Sequence, residues 1–232
     1  MGTSEANVGS IKNQGIEFIG TFKAIDGNEF KWDITPTFSI NTNEVISLAN
    51  DQFQADTIYY GDYGNVATSL YMMAEGTAVG TFYGFKFKEI GSDGKWVFKD
   101  QNNDGRIDEN IDYQVIGNGL PKYFFSLNNQ FSWRQFDLSV YMVGAAGYHV
   151  FNEKRLWYEN TANSPSNYFK SMLDEPQSSL DDRLRFSDYY LEKGNYLRLD
   201  NITLGYNLKN VSVFKQARIY TTVTNVALLT NY

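Results

Sequence analysis

The feature that most constrains this chain is a strict two-residue alternation of apolar and polar side chains, sustained over stretches of about ten residues. Phe30, Trp32, Ile34, Phe38 and Ile40 fall on one face, and Lys31, Asp33, Thr35, Thr37, Ser39 and Asn41 on the other. Successive side chains of a strand point to opposite sides, so only a strand makes one greasy and one wet face from this pattern. In the preceding segment Ile16, Phe18, Phe22 and Ala24 oppose Glu17, Thr21 and Lys23, and Asp26-Gly27-Asn28 reads as the hairpin turn between the two. The design recurs from Lys122 to Tyr148. Tyr123, Phe125, Leu127, Phe131 and Trp133 oppose Ser126, Asn128, Gln130, Ser132 and Arg134; after a turn at Arg134-Gln135 the apolar set resumes as Phe136, Leu138, Val140 and Met142. A third pair sets Ile202, Leu204, Tyr206 and Leu208 against Thr203, Gly205 and Asn207, followed by a strand from Ala217 to about Leu228 with mixed alternation.

Strands of about ten residues match what a tilted strand needs to cross a bilayer. Trp133 and Phe136 flank the short turn, where an interfacial aromatic girdle belongs. Residues 43 to 75 and 149 to 190 are long, polar connections, with one short helix expected around Asn167 to Leu173. Short turns at one end and long loops at the other are the asymmetry of outer-membrane barrels. The expected class is therefore all-β: an antiparallel transmembrane β-barrel with long extracellular loops. A soluble β-sandwich remains the alternative, because its aromatic-rich composition would be nearly the same.

Other classes are excluded more simply. No run of 18 or more apolar residues occurs, so no transmembrane helix is expected, which leaves a barrel untouched. With 20 Lys+Arg against 27 Asp+Glu and no basic stripe, the chain is no partner for nucleic acid. It has no cysteine, so disulfides, thiolate catalysis and Cys-based zinc sites are out. Met1-Gly2-Thr3-Ser4-Glu5 does not open a signal peptide; the targeting segment of an exported protein would lie upstream.

Asp100, Asn102, Asp104, Arg106 (through its backbone carbonyl) and Asp108 have the spacing of a calcium loop, with Gly105 at the sharp turn and Ile107 packing inward. The acid expected at the twelfth position is replaced by Ile111, and Asp112 comes one residue late. Ca2+ is one reading; the other is an Asx-rich turn whose carboxylates cap backbone amides without metal. His149 is the single histidine, too little for a histidine zinc site or a catalytic triad. Asp181-Asp182 adjoins Arg183 and Arg185 and reads as a solvated, salt-bridged loop rather than a glycosidase acid pair. Trp157, Tyr158, Tyr168, Tyr189 and Tyr190, with Phe169 beside them, are candidates for stacking on a sugar or peptide substrate; the alternative is that they pack the loop itself.

Three blocks carry a family resemblance. Val8-Gly9-Ser10-Ile11-Lys12-Asn13-Gln14-Gly15-Ile16-Glu17 with Phe30-Lys31-Trp32-Asp33 is the first. The second runs from Glu75-Gly76 through Gly80-Thr81-Phe82-Tyr83-Gly84-Phe85 and the Asp100–Asp108 run to Val115-Ile116-Gly117-Asn118-Gly119-Leu120-Pro121-Lys122-Tyr123. The third is Gly194-Asn195-Tyr196-Leu197-Arg198-Leu199-Asp200-Asn201-Ile202-Thr203-Leu204-Gly205-Tyr206, then Arg218-Ile219-Tyr220 and Thr224-Asn225. In this order they resemble SusC/RagA-type TonB-dependent outer-membrane transporters across most of the chain. The resemblance implies residues 1–232 as one partial receptor β-barrel domain, of about 22 strands in the whole protein, with the plug and the final strands beyond Thr230-Asn231-Tyr232 outside this chain. It further implies import of oligosaccharides or peptides with a SusD-like surface lipoprotein, energy through TonB, an outer-membrane lipid environment, and no catalysis. A secreted, calcium-stabilised carbohydrate-binding sandwich is the second reading, and an all-β glycoside hydrolase a distant third.

Overall fold

The computed structural model describes residues 9–50, 54–64, 68–163, 165, 167–174, 179–211 and 214–232. In chain order the elements are β1 (Ser10–Ile19), β2 (Phe22–Asp26) and β3 (Phe30–Ser47), then β4 (Thr57–Tyr63), β5 (Thr68–Ala74), β6 (Thr81–Gly84), β7 (Phe87–Ile90) and β8 (Trp96–Phe98). After the short helix α1 (Glu109–Asp112) come β9 (Gln114–Asn118), β10 (Tyr123–Trp133), β11 (Phe136–Ala146) and β12 (His149–Phe151). Helix α2 (Glu153–Tyr158), several 3-10 turns and β13 (Leu191–Lys193) precede the long pair β14 (Tyr196–Val211) and β15 (Phe214–Thr230). The stretch read above as one barrel domain contains two compact units: Gln14–Thr42, Pro121–Gly147 and Gly194–Tyr232 in one, and Met1–Asn13, Asn43–Leu120 and Tyr148–Lys193 in the other.

The first unit is built on a seven-stranded antiparallel sheet in the order β1-β3-β10-β11-β14-β15, with β2 also on β3. The hairpin at Asp26–Asn28 forms as expected, closed by the Gly27 amide donating to the Phe30 carbonyl at 3.0 Å. One detail of the alternation is corrected. Between Lys23 and Ile25 the pairing with β3 slips, so Ile25 and not Ala24 lies opposite Trp32. A β-bulge takes up Ala24 as an extra residue, and the larger side chain keeps the apolar face.

A second bulge explains why β14 and β15 alternate poorly as sequence. Leu197 and Leu199 are odd positions, whereas Ile202, Leu204 and Tyr206 are even, and in an unbroken strand the two sets would face opposite ways. The register passes from Leu199 opposite Met142 to Asn201 opposite Tyr141, leaving Asp200 unpaired with β11. On β15, Asn225 and Val226 fill the matching gap between Thr224 and Ala227, with Asn225 in the left-handed region at φ 53°. Asparagine accepts that conformation more readily than most residues.

The second unit is where the irregular connections were expected, and it is more ordered than the sequence suggests. Residues 43 to 75 hold the end of β3 and the β4–β5 hairpin, part of a four-stranded sheet β4-β5-β6-β9. Cross-strand aromatic pairs hold it: Tyr60 stacks on Tyr71 at 5.2 Å and Tyr71 on Phe82 at 4.7 Å. Tyrosines on both faces hide the period of two that a strand otherwise shows. Helix formation is displaced as well. The α-helix occurs earlier, at Glu153–Tyr158, where the Asn152 side chain accepts from the Arg155 amide as N-cap, while Lys170–Leu173 makes only a 3-10 turn. The core of this unit is Phe85, Trp96, Phe98, Leu156, Leu180 and Tyr190, with a second cluster of Leu70, Phe82 and Phe186.

Candidate functional site

The sheet is the larger functional surface. Reading the register across it gives apolar rows that run from strand to strand: Phe30, Trp133, Phe136, Tyr206 and Ile219; Trp32, Phe131, Leu138, Leu204 and Thr221; Ile34, Asn129, Val140, Ile202 and Val223. Farther along the same face come Phe38, Phe125, Gly144, Leu197 and Leu229. Aromatic rings gather at both ends. Trp133 stacks on Phe136 at 6.2 Å and Phe136 packs on Tyr206 at 4.8 Å; at the far end Phe38 stacks on Tyr123 at 6.3 Å. Ten residue steps separate Tyr123 from Trp133, about 33 Å along a strand and about 25 Å once tilted, the height of an outer-membrane apolar band. This face is not buried within the chain: Trp133 is 51% exposed, Leu204 46% and Ile219 66%. Apolar surface this continuous marks a face that meets another apolar medium.

Asn129 is a polar residue inside the apolar band. Asn129 accepts a hydrogen bond from the Trp32 indole N–H at 3.2 Å, and each satisfies a polar group that hydrocarbon would leave unpaired. The sequence reading passed over Asn129 because its neighbour Asn128 fills the polar slot; only the register shows the partner.

The opposite face is a ladder of hydroxyls, amides and charges. Thr37 meets Ser126 at 2.7 Å, Ser139 donates to Asn128 at 3.4 Å, and Thr203 meets Thr222 at 2.9 Å. Arg218 donates to Asp137 at 2.5 Å, and the Asn207 amide group donates to the same carboxylate at 2.6 Å. Such a face is wetted. At the tight turn Arg134 takes φ 54°, and its guanidinium reaches Glu29 at 3.0 Å while lying over the Trp133 ring.

In the second unit the candidate stacking residues divide. Tyr190 is fully buried, with its ring against Trp96 and Tyr189. Tyr189 is wedged among Phe87, Trp96 and the Arg155 guanidinium. The aromatic cluster closes over the Tyr190 ring, whereas Tyr189 is only partly buried against it. Trp157 and Tyr158 lie half-buried on α2, where Tyr158 packs on Phe169 at 5.2 Å. Tyr168 is the open one, 40% exposed, with its hydroxyl donating to the Thr161 carbonyl at 3.3 Å. Arg155 ties this region together through Glu159 at 2.9 Å and Glu192 at 3.1 Å. Burial opposes its charge, but the two carboxylates more than offset that, and its pKa lies above the usual guanidinium value. Burial pushes the Tyr190 phenol well above 10, and lowers Arg185, which lies over the Phe85 and Phe98 rings at 5.3 and 5.8 Å.

The carboxylate turn is held by its own backbone. Asp100 accepts from the Asn103 amide at 2.6 Å and the Gly105 amide at 2.8 Å, Asn102 from Asp104 at 3.2 Å, and Asp104 from Arg106 at 2.8 Å. Asp108 caps α1 through the Asn110 amide at 2.7 Å. Asp112, 1% exposed, spends one oxygen on the Gln101 amide at 2.7 Å and the other on the Asp108 amide at 2.8 Å. Both oxygens of Asp112, the acid one place late for the twelfth position, are thus turned to backbone amides. Among the described residues no group of three or more His, Cys, Asp or Glu is arranged to hold a metal ion.

Asp181 and Asp182 are likewise committed to the fold. Asp181 accepts from the Thr161 hydroxyl at 2.9 Å, and Asp182 from the amides of Trp96 at 3.1 Å and Arg183 at 2.7 Å. Among the described residues the expected salt bridges of this loop are replaced by a hydroxyl on Asp181 and backbone amides on Asp182. His149 starts β12, its Nδ1 buried against Gly117.

Comparison with known proteins places this geometry. No family model matches the chain. It is 25% identical over 254 residues to TonB-dependent receptor P3 of Formosa agariphila, covering 97% of this chain and 25% of that protein. It is 27% identical over 246 residues to TonB-dependent receptor SusC of Bacteroides thetaiotaomicron, covering 97% of this chain and 24% of SusC. Among solved structures the RagAB peptide transporter superposes with a TM-score of 0.80 at 20% identity, over 97% of this chain and 26% of that one. The chain therefore spans about a quarter of the length of these relatives, and its fold is that of a stretch of such a barrel.

Proposed function

We infer that this chain is barrel wall, with its long connections, of a SusC-like TonB-dependent receptor in the outer membrane of a Gram-negative bacterium. The observation that carries this reading is the sheet itself: apolar rows closed at both ends by aromatics on one face, and a hydrogen-bonded polar ladder on the other. A sandwich of the same composition would bury its alternating face under a second sheet, whereas here Phe38 is 41% and Phe136 43% exposed. That separates the two readings in favour of the barrel.

The whole protein, on this reading, imports oligosaccharides or peptides. One of its solved neighbours is described as a peptide importer and one relative carries the name SusC, which supports a SusD-like surface lipoprotein as lid and TonB as the energy source. Its work is binding and gated passage, with no bond made or broken. The wall contributes rigidity and a wetted lining; the long connections contribute contacts to substrate and lid. Pull-down from outer membranes with a tagged receptor is the test. Recovery of a surface lipoprotein encoded beside it, together with loss of growth on one polymer when the receptor gene is deleted, is the expected result. A receptor recovered from the soluble fraction, with growth unaffected on every glycan and peptide tried, would overturn it.

A further inference from the structure

The second unit contains a cavity of about 320 Å³ between the β4–β5 hairpin, β6 and α1. Its lining joins three phenol rings, Tyr59, Tyr83 and Tyr113, to the polar groups of Thr68, Glu109 and Asn110. None of the candidate stacking residues read from the sequence belongs to it. Tyr113 is the anchor: its ring stands edge-on to the buried Phe85 at 4.5 Å and edge-on to Tyr83 at 5.7 Å, and its hydroxyl meets Thr68 at 3.5 Å. Tyr83 is thereby fixed, and Tyr59 lies against it at 5.6 Å and an interplanar angle of 33°. Tyr59 is 54% exposed, so part of the side chain is open to a ligand. Glu109 and Asn110, at the start of α1, are exposed beside it.

We propose that this cavity is a saccharide subsite, taking one neutral sugar ring stacked on Tyr59 with its hydroxyls on the Glu109 carboxylate and the Asn110 carboxamide. A pyranose offers a flat patch of C–H bonds to an aromatic face and adjacent hydroxyls that a carboxylate accepts in pairs. The lining supplies both, on elements pinned to a core, so little ordering cost attends binding. Its lining contains a carboxylate and no cationic side chain, so a free carboxylate, phosphate or uronic acid finds no ion-pair partner in direct contact. Tyr59 lies tilted at 33° to Tyr83, and its exposed side leaves a platform for a ring. The proposal depends on the import reading only for what becomes of the sugar after capture.

The test is calorimetric titration of the full-length receptor in detergent with maltohexaose, laminarihexaose and xylohexaose, beside penta-alanine and polygalacturonate as controls. We expect at least one neutral hexasaccharide to bind. Tyr59→Ala then weakens it roughly tenfold, and Glu109→Gln, which keeps size and removes charge, also weakens it with the circular dichroism spectrum unchanged. The proposal is overturned if none of the three binds, if binding is indifferent to both substitutions, or if a control is the ligand that Tyr59→Ala abolishes. Binding without uptake by cells overturns the import reading and leaves the subsite standing. Uptake without Tyr59-dependent binding does the reverse.

Discussion

Tyr190 has its ring sealed in the core of the second unit and a buried hydroxyl with no hydrogen-bond partner among the described residues. A buried hydroxyl without a partner costs about 1–3 kcal/mol, so Tyr190→Phe should leave the melting temperature unchanged or raise it by a few degrees. The same substitution should blunt the loss of stability in alkali. Below about pH 10 the phenol is protonated in folded and unfolded chains alike. Above it the unfolded chain releases the proton while burial retains it in the folded one, so stability falls as pH rises. Burial also raises Tyr71, Tyr83 and Tyr113, hence a shallower fall in Tyr190→Phe rather than none, read from melts between pH 8 and 11. Asp112 is the opposite case, a buried carboxylate satisfied by two amides. Asp112→Ala orphans both and should cost about 2 kcal/mol. If the turn is held by its amides, chelator added to the unmodified protein leaves the melting midpoint in place; a drop of several degrees restored by calcium would contradict that account. The sequence could rank Asp112 only as a calcium ligand one place late, because its commitment to Gln101 and Asp108 is a matter of which way a side chain turns.

At the level of elements, the strands that carry the membrane reading were legible and their irregularities were not. β10 and β11 follow the expected pairs residue for residue, since both keep one parity from end to end. β14 and β15 changed parity around Asp200 and looked mixed until the bulge restored one apolar face. The β4–β5 hairpin escaped notice because its strength lies in tyrosine-on-tyrosine contacts, which hydrophobic alternation does not register. Gly144 marks another limit of pattern reading. It stands opposite Phe125 on β10, and a Cβ there would come within 2.4 Å of the Phe125 ring and 2.5 Å of the Tyr196 carbonyl. The ring covers the glycine, so Gly144→Ala must push β10 or β14 aside, at about 1–3 kcal/mol. The temperature at which the folded band is lost on semi-native gels should drop, whereas Ala145→Gly next to it, which removes one buried methyl and adds backbone freedom without a clash, should lower that temperature less.

For the whole molecule, the seven-stranded sheet and the unit of connections divide the work as wall and surface. On the barrel-wall reading, lipid replaces the second layer that a soluble sheet requires on the apolar face, and the polar face lines the passage that a whole barrel encloses. In the connections, Tyr59 and Tyr83 line a cavity beside Glu109. Because this stretch has no cysteine, single cysteines introduced into it can report on either face once any cysteine elsewhere in the receptor is replaced. Nitroxide labels placed in turn at Leu138, Val140 and Ile202, and at Asn128, Ser139 and Thr203, in the full-length receptor reconstituted into liposomes, give the most direct measurement. The first three should be reached by oxygen dissolved in lipid and shielded from a water-soluble nickel chelate, and the second three the reverse. Equal access of the chelate to both sets would mean that the alternating face meets water, and the barrel-wall account would be wrong.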